Sequence, residues 1–144
     1  MNKTYVTSIK NDPHKWYIVD AYNRNLGRLS TEVAAILRGK NKATYMPHIS
    51  NNTYIIIINA EHIIITGKKD KQKLYKRHSG YPGGLKVENF TSLQHRLPER
   101  IVEKSIKGML PKNSLGKQLF SQLKVYRNKT HPHSAQQPEQ ILVK

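Results

Sequence analysis

The sequence of 144 residues contains no cysteine. That excludes a disulfide framework, a thiolate nucleophile and a cysteine-ligated zinc site. Long apolar runs are also missing: runs such as Ile55–Ile58 and Ile63–Ile65 fall far below the ~20 residues that span a bilayer. The start has no apolar signal segment and no Arg- and Ser-rich transit segment, so we expect the protein to work where it is made.

Acidic residues are scarce. Nine Asp and Glu stand against 25 Lys and Arg, which gives a formal net charge of +16. Such a surplus repels itself unless a polyanion neutralises it, and this makes nucleic acid the leading partner. Hydrophobic residues make up 37 % of the chain, which is low for a globular protein but sufficient for a small core in one domain.

The cations are concentrated in two stretches. Residues 67–86 hold seven Lys and Arg against one acid, Asp70, and residues 104–129 hold seven and no acid. A solvated surface usually mixes both signs, whereas one sign over a long stretch is typical of a surface that follows phosphates. Tyr75, His78 and Tyr81 are interleaved with the first stretch, and such rings can stack on unpaired bases. This pattern favours RNA binding over a flexible cationic loop.

The first part of the sequence predicts a strand, a helix and a second strand. Trp16–Asp20 is β-branched and aromatic, as strands are. Apolar residues recur at helical spacing over Leu26–Leu37, and Gly39 is placed to end that helix. Tyr54–Ile58 is a continuous apolar run, which indicates a strand buried on both faces of a parallel sheet. Together they predict a right-handed βαβ unit, and hence an α/β fold.

The middle of the sequence is less regular. Ile63–Thr66 fits either a strand or the end of a short helical turn, and the sequence does not decide between them. Lys73–Arg77 is predicted as a strand. Gly80–Gly84 combines Pro with three glycines, which predicts a loop.

Two helices and one strand are predicted further along. Pro98 suits the first turn of a helix that Gly108 and Pro111 bring to an end. A shorter helix is predicted from Ser114, and it leads into Leu123–Tyr126 as the final strand.

The predicted organisation is one folded domain with polar extensions. Residues 1–15 show no periodicity and are predicted to form an extended arm. Residues 16–126 are predicted to form the α/β RNA-binding domain. Residues 127–144 lack an apolar face until close to their end, so we expect a tail that lies on RNA or on a neighbouring protein.

Neither a catalytic nor a metal site can be assembled from the sequence. His131 and His133 form the tightest histidine pair, but no third ligand follows at a recognisable spacing. Glu99 and Glu103 share a helix face, but Glu103 also precedes Lys107 by four residues, the favourable orientation for an ion pair on a solvated face. The glycine patterns of nucleotide-binding loops are not matched. We expect no enzyme, no metal and no cofactor.

Nine strings occur in this sequence in the order in which they occur in one known family. Over residues 16–138 the chain resembles the large-subunit ribosomal protein thirteen family, of the bacterial and plastid type. The strings that carry the resemblance are Trp16–Ala21, Leu26–Ser30, Leu37–Lys40, Asn59–Glu61, Thr66–Lys69, His78–Gly84, Lys107–Gly116, Leu123–Tyr126 and His131–Pro138.

The resemblance implies a fold and a role. The fold is a three-layer α/β/α arrangement with a small, mostly parallel, four-stranded sheet. The role is that of a non-catalytic, structural constituent of the large ribosomal subunit, which binds ribosomal RNA and joins early in assembly. Its implied partners are large-subunit ribosomal RNA and neighbouring ribosomal proteins, with no membrane, no small-molecule substrate and no homo-oligomer.

The resemblance also implies which residues face RNA, and the charge clusters add Lys73, Lys86 and Arg127 to them. The implied positions are Arg28, Arg38, Lys40, His48, Lys68, Lys69, Tyr75, Arg77, His78, Tyr81, Lys107, Lys112, Lys117, Lys124, His131 and His133.

Two adjacent residues depart from the family pattern, and a bias in composition indicates the source of the gene. Asn52 and Thr53 stand where the family commonly has Gly-Asp; Asn tolerates the left-handed backbone, so the turn can form, but a role of that acid is lost. Lys outnumbers Arg by 18 to 7, as AT-rich coding produces. We expect a plastid-encoded protein on the ribosome of the plastid (chloroplast) stroma; the alternative is a bacterial cytoplasm.

Two other functional classes stay open on the sequence alone. An RNA-processing enzyme would need a cluster of carboxylates or metal ligands, which the nine scattered acids do not supply. An architectural DNA-binding protein would carry a helix-turn-helix, basic zipper or zinc finger signature, and none is recognisable.

Overall fold

The computed structural model describes residues 14–142. Residues 1–13 of the predicted arm and residues 143–144 of the predicted tail lie outside the described residues, and Lys15 already belongs to the first strand. The helices and strands are β1 (Lys15–Asp20), α1 (Leu26–Arg38), β2 (Thr53–Ile58), α2 (Lys69–Gln72), β3 (Leu74–His78), β4 (Leu85–Asn89), α3 (Phe90–Arg96), α4 (Pro98–Met109), α5 (Ser114–Ser121), β5 (Leu123–Val125) and β6 (Glu139–Gln140).

Four of the strands form one parallel sheet in the order β5-β2-β1-β6. In this sheet Trp16 of β1 lies opposite Tyr54 of β2, and Ile55 of β2 lies opposite Leu123 of β5. The other two strands, β3 and β4, form a separate antiparallel hairpin. The expected α/β fold with a small four-stranded parallel sheet is confirmed.

Strand β2 is buried on both faces, as its continuous apolar run predicts. Successive side chains of a strand point to opposite faces, yet Ile55, Ile56 and Ile57 are all fully buried. Ile55 and Ile57 belong to the main core. On the face of Ile56, the stacked rings of Trp16 and Tyr54 lie 4.4 Å apart.

The main core lies between the sheet and the helices α1, α4 and α5. Burying one such aliphatic side chain stabilises a fold by about 1.5–3 kcal/mol, so this cluster carries most of the hydrophobic stabilisation. Its largest fully buried members are Val19, Leu29, Val33, Leu37, Ile55, Ile57, Ile101, Val102, Ile106 and Leu119.

Local signals set both ends of α1. The Asn25 side chain caps its first turn by accepting a hydrogen bond from the Gly27 N–H at 3.1 Å. Gly39 ends the helix in the left-handed region, at a φ of 76°. A Cβ at Gly39 would overlap the Asn51 amide, which itself donates to the Arg38 carbonyl at 3.2 Å. Only glycine fits there.

Three elements in the middle of the chain are absent from the sequence-based prediction. Helix α2 and strand β4 are largely exposed and carry no apolar periodicity. Helix α3 buries only Phe90 and Leu93, so its apolar pattern is a single turn. Ile63–Thr66, left open above, is neither helix nor full strand: Ile64 makes one isolated bridge to Asn25.

The prediction that Leu123–Tyr126 is the last strand is wrong. Strand β6 follows at Glu139–Gln140 and pairs with β1, with Glu139 opposite Tyr17. Two paired residues leave no apolar pattern in the sequence, so nothing signals this strand. This part of the predicted tail therefore lies on the edge of the chain's own sheet.

Candidate nucleic-acid interface

Successive side chains of β3 and β4 lie on opposite faces of the hairpin. Arg77 lies opposite Lys86, and Tyr75 lies opposite Glu88, so these four side chains share the face that packs towards α3 and α4. His78 lies opposite Leu85 on the other face. The hairpin therefore separates a charged inner face from an outer face on which Leu85 is 55 % exposed.

The tip of the hairpin presents an aromatic ring. The loop closes through hydrogen bonds from the Ser79 N–H to the Gly84 carbonyl at 3.2 Å and from the Gly84 N–H to the Tyr81 carbonyl at 2.9 Å. The His78 Nδ1 accepts from the Gly80 N–H at 2.9 Å. Tyr81 is left 76 % exposed, in a position where it can stack on a base.

The lysines that precede the hairpin are exposed on and beside α2. Lys68 and Lys69 begin this short helix. The Lys73 Nζ lies 5.7 Å from the centre of the Tyr75 ring, within the range of a cation–π contact. The cluster predicted from the sequence is thus continuous with β3.

A groove of about 140 Å³ separates the hairpin from α4. We call it the hairpin groove. Arg96, Arg100 and Lys104 are missing from the residues predicted to face RNA, although Arg100 and Lys104 are four apart in one helix, a spacing that places them on one face. Six of the residues that line the groove are Tyr75, Arg77, Lys86, Arg96, Arg100 and Lys104.

The single acid of the hairpin groove is held by an arginine. The Arg96 Nη2 lies 2.7 and 2.6 Å from the two carboxylate oxygens of Glu88. This hydrogen bond, with the nearby positive charges of Arg77 and Lys104, lowers the pKa of Glu88. Burial raises the pKa of the Tyr75 phenol, so that side chain stays neutral.

A second cationic site lies at the end of α4 and the start of α5. We call it the lysine pocket; its volume is about 280 Å³. The Lys107 Nζ lies 5.3 Å from the centre of the Phe120 ring, and the Asn113 Oδ1 caps α5 by accepting from the Gly116 N–H at 2.8 Å. The pocket is lined by Lys107, Leu110, Pro111, Lys112, Asn113, Gly116, Lys117 and Phe120.

Helix α4 joins the two sites. Arg100, Lys104 and Lys107 are spaced by four and three residues and so form one stripe along the helix. The opposite face of α4 buries Ile101 and Ile106. The stripe therefore connects the hairpin groove with the lysine pocket as one cationic surface.

The residues predicted to face RNA on α1 and in the segment after it do not all lie in one groove. Arg38 and Lys40 line a third, shallower groove beside Met109 of α4, and the Thr31 hydroxyl donates to the Met109 sulfur at 3.5 Å. Arg28 and His48 are exposed, but they line none of these three sites.

Two of the predicted residues after β5 make contacts within the chain. Arg127 donates through Nε and Nη2 to the two oxygens of Glu61, at 2.8 and 2.9 Å. The Tyr126 hydroxyl and the His133 Nε2 share a hydrogen bond of 2.7 Å, and the His133 ring lies 5.2 Å from that of Trp16. These contacts fix the start of the tail on the domain.

Two further predicted residues, His131 and Lys124, lie near these contacts. The His131 Nδ1 accepts from the His133 N–H at 3.3 Å. Lys124 is half-buried in β5, opposite Ile56. None of the three residues His131, His133 and Lys124 lines the hairpin groove or the lysine pocket.

The Glu99 and Glu103 pair does not form an isolated acid–base site. The Glu99 Oε1 accepts a hydrogen bond from the Arg127 N–H at 3.3 Å. Partial burial, and then the negative charge of Glu99, raise the pKa of Glu103. Glu99 thus helps to hold the tail on α4.

The described residues offer neither a membrane-spanning helix nor a group of metal ligands. Across residues 14–142, every helix is too short or too polar to span a lipid bilayer. In the part of the chain that the structure describes, no three histidine or acidic side chains form a group that could hold a metal ion.

Comparison with known proteins supplies the family. The family model described as "Ribosomal protein L13" matches residues 14–132. A protein of Synechocystis sp. named "Large ribosomal subunit protein uL13" is 61 % identical over 143 residues, which cover 99 % of this chain and 95 % of the relative. Proteins of the same name from Rippkaea orientalis and Prochlorococcus marinus are 60 % and 61 % identical, with the same coverage.

The match extends over nearly the whole folded domain, including both the hairpin groove and the lysine pocket. It agrees with the resemblance that the sequence strings carry. This family is not one of enzymes, which confirms the expectation that the chain does not catalyse a reaction. The chain belongs to the ribosomal protein L13 family.

Proposed function

We propose that the chain is a structural constituent of the large ribosomal subunit and acts there by binding ribosomal RNA and supporting early assembly. The observation that carries this proposal is the cationic surface that runs from the hairpin along α4 to the lysine pocket, in a chain whose relatives are named as large-subunit proteins. Neighbouring large-subunit proteins are further partners.

The α/β body serves as a rigid plate in this mechanism. The hairpin with its preceding lysines, and the segment from Lys104 to Pro138, are anchored on this body and clamp separate segments of RNA. The anchoring keeps the cations at fixed positions, so little conformational entropy is lost when RNA binds. The Arg127–Glu61 pair contributes by holding the start of the tail.

The chemistry of the surface favours recognition of RNA shape. Lysine offers a point charge rather than the two-pronged contact that reads a guanine edge. The exposed Tyr81 ring supports stacking on an unpaired base. The lysine pocket, with mostly apolar walls and three ammonium groups at its rim, suits a base whose flanking phosphates face Lys107, Lys112 and Lys117.

A salt titration tests the clamp. With several phosphate contacts, the logarithm of the binding constant for large-subunit RNA should fall with the logarithm of salt concentration with a slope of magnitude about 4 or more. Filter binding or anisotropy between about 0.05 and 0.3 M salt measures it. A slope near zero contradicts the proposal.

Two controls separate the competing functions. A duplex DNA of equal length, used as competitor, should displace the RNA poorly; equal competition favours an architectural DNA-binding protein. Incubation of the RNA with Mg²⁺ should leave it intact, since cleavage would favour an RNA-processing enzyme. The chain should also co-sediment with the large subunit through a high-salt gradient.

We further propose that this ribosome is that of a plastid. The support is that the relatives reported above are all cyanobacterial, at about 60 % identity, and that Lys outnumbers Arg as AT-rich plastid coding produces. Mass spectrometry of large subunits from isolated plastids of the source organism tests it. Recovery of the chain only from ribosomes outside the plastid contradicts it and favours the cytoplasm of a bacterium with AT-rich genes.

A further inference from the structure

We propose that the hairpin groove is a binding site for one phosphate group, in which Glu88 occupies the position of the anion until phosphate arrives. The inference rests on the proposed function, because the phosphate is expected to belong to the RNA backbone. It assigns Arg96, Arg100 and Lys104 to one phosphate site.

The charge of the groove supports an anion. Five cations line it, Arg77, Lys86, Arg96, Arg100 and Lys104, against the one carboxylate of Glu88. Cations this close repel one another. The repulsion is relieved when an anion that accepts hydrogen bonds from several of them lies between them.

The size of the groove selects a small group. Its volume of about 140 Å³ is below the roughly 300–1,000 Å³ of pockets that enclose a whole small molecule. A phosphate group with its chain continuing out of the opening fits this description, whereas a buried nucleoside does not.

The side chains of the groove are pre-positioned. The Lys104 Nζ is held 5.2 Å from the centre of the Tyr75 ring, and Arg77 and Lys86 are fixed opposite each other by the hairpin register. A phenol is neutral at neutral pH, and burial raises the pKa of Tyr75 further, so this side chain adds no charge that would repel phosphate. An arriving anion therefore meets donors that need little reorganisation.

Glu88 makes the proposal specific. The hydrogen bond from Arg96 lowers the pKa of its carboxyl group, and both carboxylate oxygens accept from the Arg96 Nη2. A phosphate group likewise offers an arginine two anionic oxygens that can accept hydrogen bonds at the same time. Phosphate must therefore compete with Glu88 for Arg96, and removal of the carboxylate should strengthen binding.

The test uses the full-length chain with two kinds of substitution, one that removes positive charge from the groove and one that removes its negative charge. Arg100→Gln with Lys104→Gln should weaken binding of large-subunit RNA about tenfold near 0.15 M salt and lower the slope of the salt titration by about 1 to 2. Lys15→Gln with Arg24→Gln removes the same charge from positions outside the groove and outside the two clamping segments and should change both values less.

Glu88→Gln should strengthen RNA binding more than Glu139→Gln, which adds the same charge at an exposed position of β6. Unchanged melting curves by circular dichroism show that each variant is folded. The groove proposal is overturned, while the proposed function stands, if two results are found together. The double cation variant weakens RNA binding no more than its control, and Glu88→Gln strengthens it no more than Glu139→Gln. If the unaltered chain does not bind the RNA, the proposed function itself falls.

Nuclear magnetic resonance of the unaltered chain identifies the source of the phosphate and does not depend on any variant folding. The Nε–H signals of Arg96 and Arg100 should shift when a short RNA oligonucleotide is added. A shift of equal size with inorganic phosphate at millimolar concentration assigns the site to free phosphate instead of the RNA backbone. No shift with either probe overturns the site.

Discussion

Two sets of β-strands in this chain have opposite surroundings. In the parallel sheet, Ile55, Ile56 and Ile57 of β2 are fully buried. In the β3–β4 hairpin, Leu85 and Val87 remain about half exposed, and every residue except Tyr75 and Glu88 lies on the surface. Both regions have strand geometry, so the backbone does not explain the difference.

The difference in burial follows from the number of charged side chains in each region. Lys and Arg lose too much hydration to be buried without partners, so a region rich in them has to remain at the surface. The hairpin is instead tied down at its base, where the Phe90 N–H donates to the Lys73 carbonyl at 3.0 Å and Phe90 enters the core. Stability is thus concentrated in the sheet and its helices, and binding charge in elements attached to them.

A cavity in the sheet should have the largest effect on the free energy of unfolding. Ile57→Ala is expected to lower the free energy of unfolding by about 3 kcal/mol, because the buried site cannot collapse around the loss. Val87→Ala, in the exposed hairpin face, should cost less than about 1 kcal/mol. Urea denaturation measures both. Equal losses would show that the hairpin belongs to the stabilising core.

The turn between α4 and α5 gives the next largest effect. A Cβ at Gly116 would overlap the Pro111 carbonyl oxygen, so Gly116→Ala should destabilise the fold by about 2 kcal/mol and distort the lysine pocket. Gly108→Ala is the matched control: a Cβ there meets nothing, and alanine should stabilise α4 by about 0.5–1 kcal/mol. Thermal melts measure both; a neutral Gly116→Ala would show that the turn can shift freely.

Removal of charge from the hairpin should affect binding and spare the fold. Arg77→Ala combined with His78→Ala is expected to weaken RNA binding about tenfold at physiological salt, while the circular dichroism melt changes little because both side chains are exposed. Only the hydrogen bond from the Gly80 N–H to His78 is lost from the turn. A collapsed fold in this variant would assign these residues a structural role.

The smallest effect is expected at the pair that holds the tail. The hydrogen bond from Arg127 lowers the pKa of Glu61 below its usual value of 4.5. Since the pKa is lower in the folded than in the unfolded chain, the pair stabilises the fold above about pH 4.5 and loses that contribution as the pH falls through the folded value. Glu61→Gln should therefore lower the melting temperature slightly at pH 7, and the difference should shrink as the pH falls below 4.5. A difference that grows as the pH falls would contradict this assignment.

Much of the sheet and its first helix could be predicted from local patterns. The isoleucine run at β2 identifies a doubly buried strand, and the helical spacing from Leu26 to Leu37 with Gly39 behind it identifies α1. Patterns of this kind are readable because burial repeats with the period of the element. Strand β4, helix α3 and strand β6 lack such a pattern, since they are short or exposed.

The candidate surface could be predicted in part. Sequence clustering found Lys73, Arg77 and Lys86, which the structure places beside Tyr75. It did not find Arg96 and Arg100, since each is isolated among uncharged or acidic neighbours and joins the hairpin only through packing of α3 and α4. It also did not reveal that Arg127 is held by Glu61, a residue 66 positions earlier in the chain.

The sequence by itself determined that this chain would bury a small parallel sheet and carry its excess of positive charge outside, because apolar periodicity and net charge are properties of composition and order. Only the tertiary structure decided which of those charges meet. Residues far apart in the sequence, such as Lys86 and Lys104, become neighbours when the hairpin packs on α4, and the local electrostatic field depends on distance in space rather than on position along the chain.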